Sequence, residues 1–306
     1  MWYRLLTRLV SSFAMLVAML IITVLLLRVA PGRPGEDLHQ LGRDVQDNQS
    51  RRLGTDRSTR ETLGDTLGSW MRGDFGRSLV RGEAVTVLIG RTWPVTLSIG
   101  LHALFLAVLL GIGGGLAAGL RSRGLLSRAL PIAALILVSV SVLGVGSLTR
   151  MTLTRAERFS LGGWDEPLDH LLPALVLGLV YGAWLLEVVR SSTVMALRAP
   201  WVLGARARGL SPARVVVAHV LPTALIPVLE AMGPVVARLL TGSFVVEVLF
   251  EVPGISRTFM EATAARDYPV IIGVVMVYTA TVTVLQAGLE LAHELLDPRL
   301  RGGGTP

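Results

Sequence analysis

Two sets of charged residues in this 306-residue chain have spacings that could do chemistry, and both sit in apolar surroundings. The first is Arg206, Arg208 and Arg214, in a segment that opens Pro-Trp-Val-Leu-Gly-Ala-Arg-Ala-Arg-Gly-Leu-Ser-Pro at Pro200. Guanidinium groups so placed would pair with a partner's carboxylates or with lipid phosphates. The second is Glu230 and Arg238, in an otherwise uncharged run. Eight residues of helix rise about 12 Å, so these two cannot pair directly. Ionisable groups in hydrocarbon are costly and usually face a cavity or a partner. Two readings stay open: both line one face of a pathway, or each pairs with another helix or snorkels.

Other chemistries lack their residues. The chain has no Lys, so it cannot carry the Gly-rich phosphate loop that ends in Lys before Ser or Thr. It has no Cys, and His39, His102, His170, His219 and His293 show no metal-ligand spacing. Neither His-Glu-x-x-His nor a Gly-x-Ser-x-Gly turn occurs. No catalytic residue and no metal site is assigned, and energy for any work must come from a partner or an ion gradient.

The elements that must position these charges are set by composition. With 52% hydrophobic residues, 17% charged residues and a mean hydropathy of +0.60, the chain is a polytopic membrane protein. Uncharged runs long enough to approach a bilayer's hydrocarbon thickness predict six transmembrane helices: 9–27, 95–120, 129–149, 171–186, about 215–240 and 270–289. The first run exceeds a signal peptide's apolar core and lacks a small-residue cleavage site, so it reads as a retained anchor over 1–30. Arg4, Arg8, Arg121, Arg123, Arg128, Arg190, Arg198, Arg206, Arg208, Arg214, Arg299 and Arg301 all fall on one side of these spans. The positive-inside rule then puts both termini and the 198–214 loop in the cytoplasm. The net charge of +7 is a topology signal and calls for no nucleic acid. The remaining organisation is a partly irregular external segment over 31–94, a five-helix core over 95–296 and a tail over 297–306. Within 31–94, residues 63–71 suit a short surface helix and 73–78 a turn.

The basic loop has its own punctuation. Pro200 suits a first helical position, Gly209 a helix end, and Ser211-Pro212 a fresh cap and first turn. Ala205, Ala207 and Gly209 would keep the surface thin enough to enter another protein's groove. On spacing alone, a docking loop and a basic interfacial helix on anionic lipid are equally good readings.

Ala205-Arg206-Ala207-Arg208-Gly209-Leu210-Ser211, followed by His219-Val220-Leu221-Pro222, resembles the EAA-type coupling loop of ABC importer permeases of the dipeptide, oligopeptide and nickel family. Pro31-Gly32-Arg33-Pro34, Gly73-Asp74-Phe75-Gly76-Arg77-Ser78, Gly242-Ser243-Phe244-Val245-Val246-Glu247, Pro253-Gly254, Arg266-Asp267-Tyr268-Pro269 and Asp297-Pro298-Arg299 resemble that family in order and spacing. The early anchor before a long external segment resembles the B-type member. The chain departs from the pattern at Leu203, where the motif carries its Glu, and at Pro200, where an acidic residue often opens it.

The resemblance implies a type I importer permease that forms the path for a peptide-like solute, without hydrolysing ATP itself. It implies a C-type permease partner, two ATPase subunits or domains that bind ATP and Mg, an external solute-binding protein, and no cofactor on this chain. Trp201, Ala205, Arg206, Ala207, Arg208, Gly209, Leu210, Ser211 and Pro212 would form the coupling loop, its helix running roughly from Val202 to Leu210. Glu230 and Arg238 would line the path. Gly242, Glu247, Pro253 and Gly254 would belong to an external gate, where an ordinary loop is the simpler reading. The competing function is an ion-coupled secondary transporter using Glu230 and Arg238.

Overall fold

A computed structural model describes residues 2–29, 64, 68–69, 72–120, 124–155, 167–241 and 244–296. The expected surface helix over 63–71, the Pro31-Gly32-Arg33-Pro34 block and the 297–306 tail lie wholly or mostly outside these residues. The described chain is helical: α1 (Trp2–Val29), α2 (Val85–Leu120), α3 (Leu125–Ser139), α4 (Val142–Arg155), α5 (Pro167–Leu197), α6 (Pro200–Ala207), α7 (Pro212–Val215), a π-helical turn Val216–Val220, α8 (Leu221–Leu240), α9 (Phe244–Leu249), α10 (Ile255–Ala264) and α11 (Tyr268–Leu296). Among the described residues, five helices are long and apolar enough to cross a membrane, or six if one bent pair counts as a span.

That bent pair revises the third expected span. Instead of one rod over 129–149, α3 and α4 meet at 95°. Val140 is extended (φ −84°, ψ 113°), and the Ser141 hydroxyl accepts the Gly144 N–H at 3.3 Å, capping a new helix. A Ser cap satisfies an otherwise orphan donor, so the chain can turn here without leaving the amide unpaired. The second span also starts earlier than expected. Helix α2 begins at Val85 and runs through Pro94, which lies inside its 36 residues.

The chain divides into two compact units, Met1–Thr96 with Pro253–Thr283, and Leu97–Val252 with Val284–Pro306. In the first, Val85, Leu88 and Ile89 pack with Ile255, Ala262, Val270, Ile271 and Val274, while Leu20 and Val24 of α1 meet Met276 of α11. In the second, α5 is the central helix. Ala183 and Leu186 pack with Ala134 of α3, and Leu185 and Val189 with Val228 of α8. Close approach of α2 to α5 uses small residues, as membrane helix pairs often do. A Cβ on Gly115 would lie 2.5 Å from Val189 Cβ and 2.7 Å from the Leu186 carbonyl oxygen.

Candidate functional site

The basic loop folds as its punctuation predicts, with shifted bounds. Ala199 is extended (φ −66°, ψ 142°) and Pro200 starts α6, where its missing N–H costs nothing. At the other end, Leu210 N–H donates to the Ala205 carbonyl at 3.4 Å and Gly209 N–H to the Arg206 carbonyl at 2.9 Å. Gly209 has φ +77°. This is a Schellman closure, and its left-handed position favours glycine because a Cβ there meets the backbone. Ser211 then caps α7, its hydroxyl accepting the Arg214 N–H at 3.4 Å. The helix therefore spans Pro200–Ala207, started by a proline and closed at its C-terminal end by its own backbone.

Its two faces differ. Val202 and Ala205 are each 1% exposed and pack with Ala196 of α5, Val215, Val220 and Ala224. Ala205 thus faces its own chain, which corrects the expectation that it thins the partner-facing surface. Leu203, Gly204, Arg206, Ala207 and Arg208 point outward, with Leu203 68% exposed. The position where the motif carries Glu is therefore an outward apolar side chain. Trp201 stands edge-on to His219 of the π turn, ring centroids 6.2 Å apart. Among the described residues, Arg206, Arg208 and Arg214 form no side-chain ion pair.

Glu230 and Arg238 both lie on α8 and are both exposed. At about 100° per residue they fall on one stripe of the helix, with Thr223, Pro227 and Pro234 between or beside them. Those three are exposed too, whereas Ala224, Val228, Val235 and Leu239 fill the packed side. Among the described residues neither charge has a hydrogen-bond or ion-pair partner. Pro234 was not singled out in the sequence, although the spacing of prolines with the two charges would have shown it.

The expected gate residues are dispersed. Gly242 lies outside the described residues. Glu247 sits on α9 and is 2% exposed. Val252 N–H donates to the Glu247 carbonyl at 2.8 Å, closing α9 with Glu251 in a left-handed conformation (φ +55°). Arg150 of α4 holds this end, donating to the Leu249 carbonyl at 2.5 Å and to Glu251 Oε1 at 3.0 Å. Pro253 is exposed, and Gly254 is the buried cap of α10, both in the other unit.

One constellation that the sequence does not reveal joins two of its motifs, 73–78 and 266–269. Asp267, 3% exposed, accepts the Ser78 hydroxyl at 2.5 Å, the Leu79 N–H at 3.1 Å and the Val80 N–H at 3.4 Å. The Ser78 hydroxyl also accepts the Arg81 N–H at 2.9 Å. Around this joint Glu261 bridges Arg81 and Arg257, and Glu83 pairs with Arg91. Of the turn that the sequence predicts over 73–78, the structure has the turn at Arg72–Gly73, with Gly73 at φ +75°, and the Gly76 N–H donating to Asp74 Oδ1 at 2.9 Å, after which Arg77 pairs with Ala84 as an isolated bridge. Among the described residues, no group of His, Cys, Asp or Glu could hold a metal ion.

Comparison with known proteins gives a consistent result. A family model described as the binding-protein-dependent transport system inner membrane component matches residues 103–302. A dipeptide transport system permease protein of Bacillus subtilis (strain 168) is 32% identical over 294 residues, covering 94% of this chain and 96% of its own. An oligopeptide transport system permease protein of Escherichia coli (strain K12) is 28% identical over 300 residues, covering 97% and 98%. A solved amino acid ABC transporter with histidines superposes with a TM-score of 0.57 at 18% identity, over 68% of this chain and 94% of that one. A solved methionine ABC transporter gives 0.52 at 17%, over 69% and 97%. These two structures are similar in fold.

Proposed function

Since this chain belongs to the family of binding-protein-dependent transport system inner membrane components, we propose that it is the B-type permease subunit of an ATP-driven importer and lines the path of a peptide-like solute. It is a multi-pass inner-membrane permease and is not itself the catalytic subunit. The peptide assignment is supported by the dipeptide and oligopeptide transport permeases that align along nearly the whole chain. In this reading a C-type permease completes the path, two ATPase subunits bind ATP and Mg, and an external binding protein delivers the solute. Both termini and α6 lie in the cytoplasm, in keeping with the arginine distribution. The path is lined by Glu230 and Arg238, and α9 with Glu247 belongs to the external gate.

The observation that carries the reading is α6. It is started by Pro200, closed at its C-terminal end and locked to its own chain by Val202 and Ala205, while Leu203, Arg206 and Arg208 face outward. A short helix so held transmits a push from a docked partner to α5 and α8 as a rigid body. Its outer face pairs an apolar anchor with cations, which suits a groove with acidic edges.

The test is co-purification of the chain with its ATPase, and ATPase stimulation in vesicles, for the Arg206→Ala/Arg208→Ala double variant and for Gly209→Asp. Both should insert normally and lose ATPase docking or stimulation. Wild-type assembly together with wild-type transport in both would sink the coupling role.

A further inference from the structure

We infer that the exposed stripe of α8 is a binding track for a short peptide with both termini free, Glu230 taking its ammonium end and Arg238 its carboxylate. This rests on the importer reading above and adds to it a recognition rule and a preferred length.

The stripe carries one negative and one positive group, and among the described residues neither is neutralised within the chain. Leaving both bare in a membrane-spanning helix is costly, so the stripe must face water or a ligand that complements it. A ligand that satisfies both at once is dipolar, with its charges separated by the spacing of Glu230 and Arg238. That spacing is about 12 Å along the axis, and the two lie within about 80° around it. An extended peptide advances about 3.3–3.6 Å per residue, so three or four residues span the gap, whereas a dipeptide reaches about 7 Å.

The local chemistry at each end fits its terminus. Proline has no N–H, so Pro227 and Pro234 deprive the carbonyls of Thr223 and Glu230 of their usual helical donors. The Glu230 carboxylate therefore sits beside a backbone acceptor on the same stripe, and an ammonium group carries three donors to match. At the other end, the Arg238 guanidinium is a planar fork that takes a carboxylate through two parallel hydrogen bonds. Between the two charges Pro234 adds flat apolar surface and is the only exposed residue over 231–237, so no long side chain there selects a residue type. The track thus reads the ends of a peptide and is tolerant of its middle.

The test uses the complete importer, with its ATPase and binding protein, in vesicles. ATP-dependent uptake of trialanine, N-acetyl-trialanine and trialanine amide is compared in wild type, Glu230→Gln and Arg238→Gln. Binding-protein affinities are common to all three and cancel in the ratios. Glu230→Gln should reduce the preference for trialanine over its acetylated form by at least about fivefold and keep the preference over the amide; Arg238→Gln should do the reverse. Wild-type ratios in both variants would overturn the track while leaving the importer reading intact, provided wild type takes up trialanine. Loss of the partner permease from either purified variant would also overturn it, because the stripe would then be a subunit interface. Failure of wild type to take up any of the three peptides with ATP would sink the importer reading, and the track with it.

Discussion

Ser78 and Asp267, 189 positions apart, share a 2.5 Å hydrogen bond, and the same carboxylate receives two backbone amides from the loop that Ser78 begins. A buried carboxylate stays in place only when its oxygens are satisfied, so this one both needs the loop and shapes it. Ser78→Ala should cost about 1 kcal/mol, and Asp267→Ala about 1–3 kcal/mol because it leaves the Leu79 and Val80 amides without their acceptor. Thermal unfolding in detergent would check the order, with Asp267→Ala the larger loss.

The contact of α2 with α5 predicts a paired result. Gly115→Ala puts a Cβ against Val189 and the Leu186 carbonyl, whereas a Cβ on Gly113 meets nothing within 4 Å. The first should destabilise by about 1–3 kcal/mol. The second should be neutral or stabilising by up to about 1 kcal/mol, the helix-propensity difference. Equal melting temperatures for the two variants would contradict the packing described.

Closure of α6 depends on the left-handed backbone of Gly209. Gly209→Asn should be tolerated, since Asn visits that region, while Gly209→Val should cost more than about 1 kcal/mol and loosen the end of the helix. Solute-stimulated ATPase activity of the assembled importer should follow the same order, wild type, Asn, then Val. Equal activity in all three would show that a firm end to α6 is not needed for coupling.

Arg150 ties α4 to the end of α9 through the Leu249 carbonyl and Glu251. Arg150→Ala should lower hydrogen-exchange protection over 244–251 by about 1–3 kcal/mol, the cost of losing charge-assisted hydrogen bonds. Glu251→Gly should do less, because losing the ion pair is offset by about 1 kcal/mol of relief at a left-handed position. Unchanged exchange in Arg150→Ala would show that α9 is held by its packing alone.

Much of this was legible in the sequence because it follows from local chemistry. Uncharged runs mark the spans, since every residue in hydrocarbon bears its own transfer cost. Pro200, Gly209 and Ser211-Pro212 bound α6 because capping and left-handed closure involve residues within a turn of one another. The alignment of Glu230 with Arg238 follows from helical pitch alone. The third span is bent where a straight rod is expected, and its signal, the Ser141 cap, is local: counting apolar residues does not see a hydroxyl that can start a new helix. What only the tertiary structure decided are the meetings of distant parts. The sequence allows Ala205 to face either way, and it turns inward because Ala196, Val215 and Ala224 lie beneath it. Nothing near Asp267 in the chain names Ser78, and nothing near Arg150 names Glu251. Such pairs depend on how long helices bring remote loops together, and within each unit that arrangement is fixed by close contacts, Gly273 on Val85 in one and Gly115 on Val189 in the other, not by any residue's own preference.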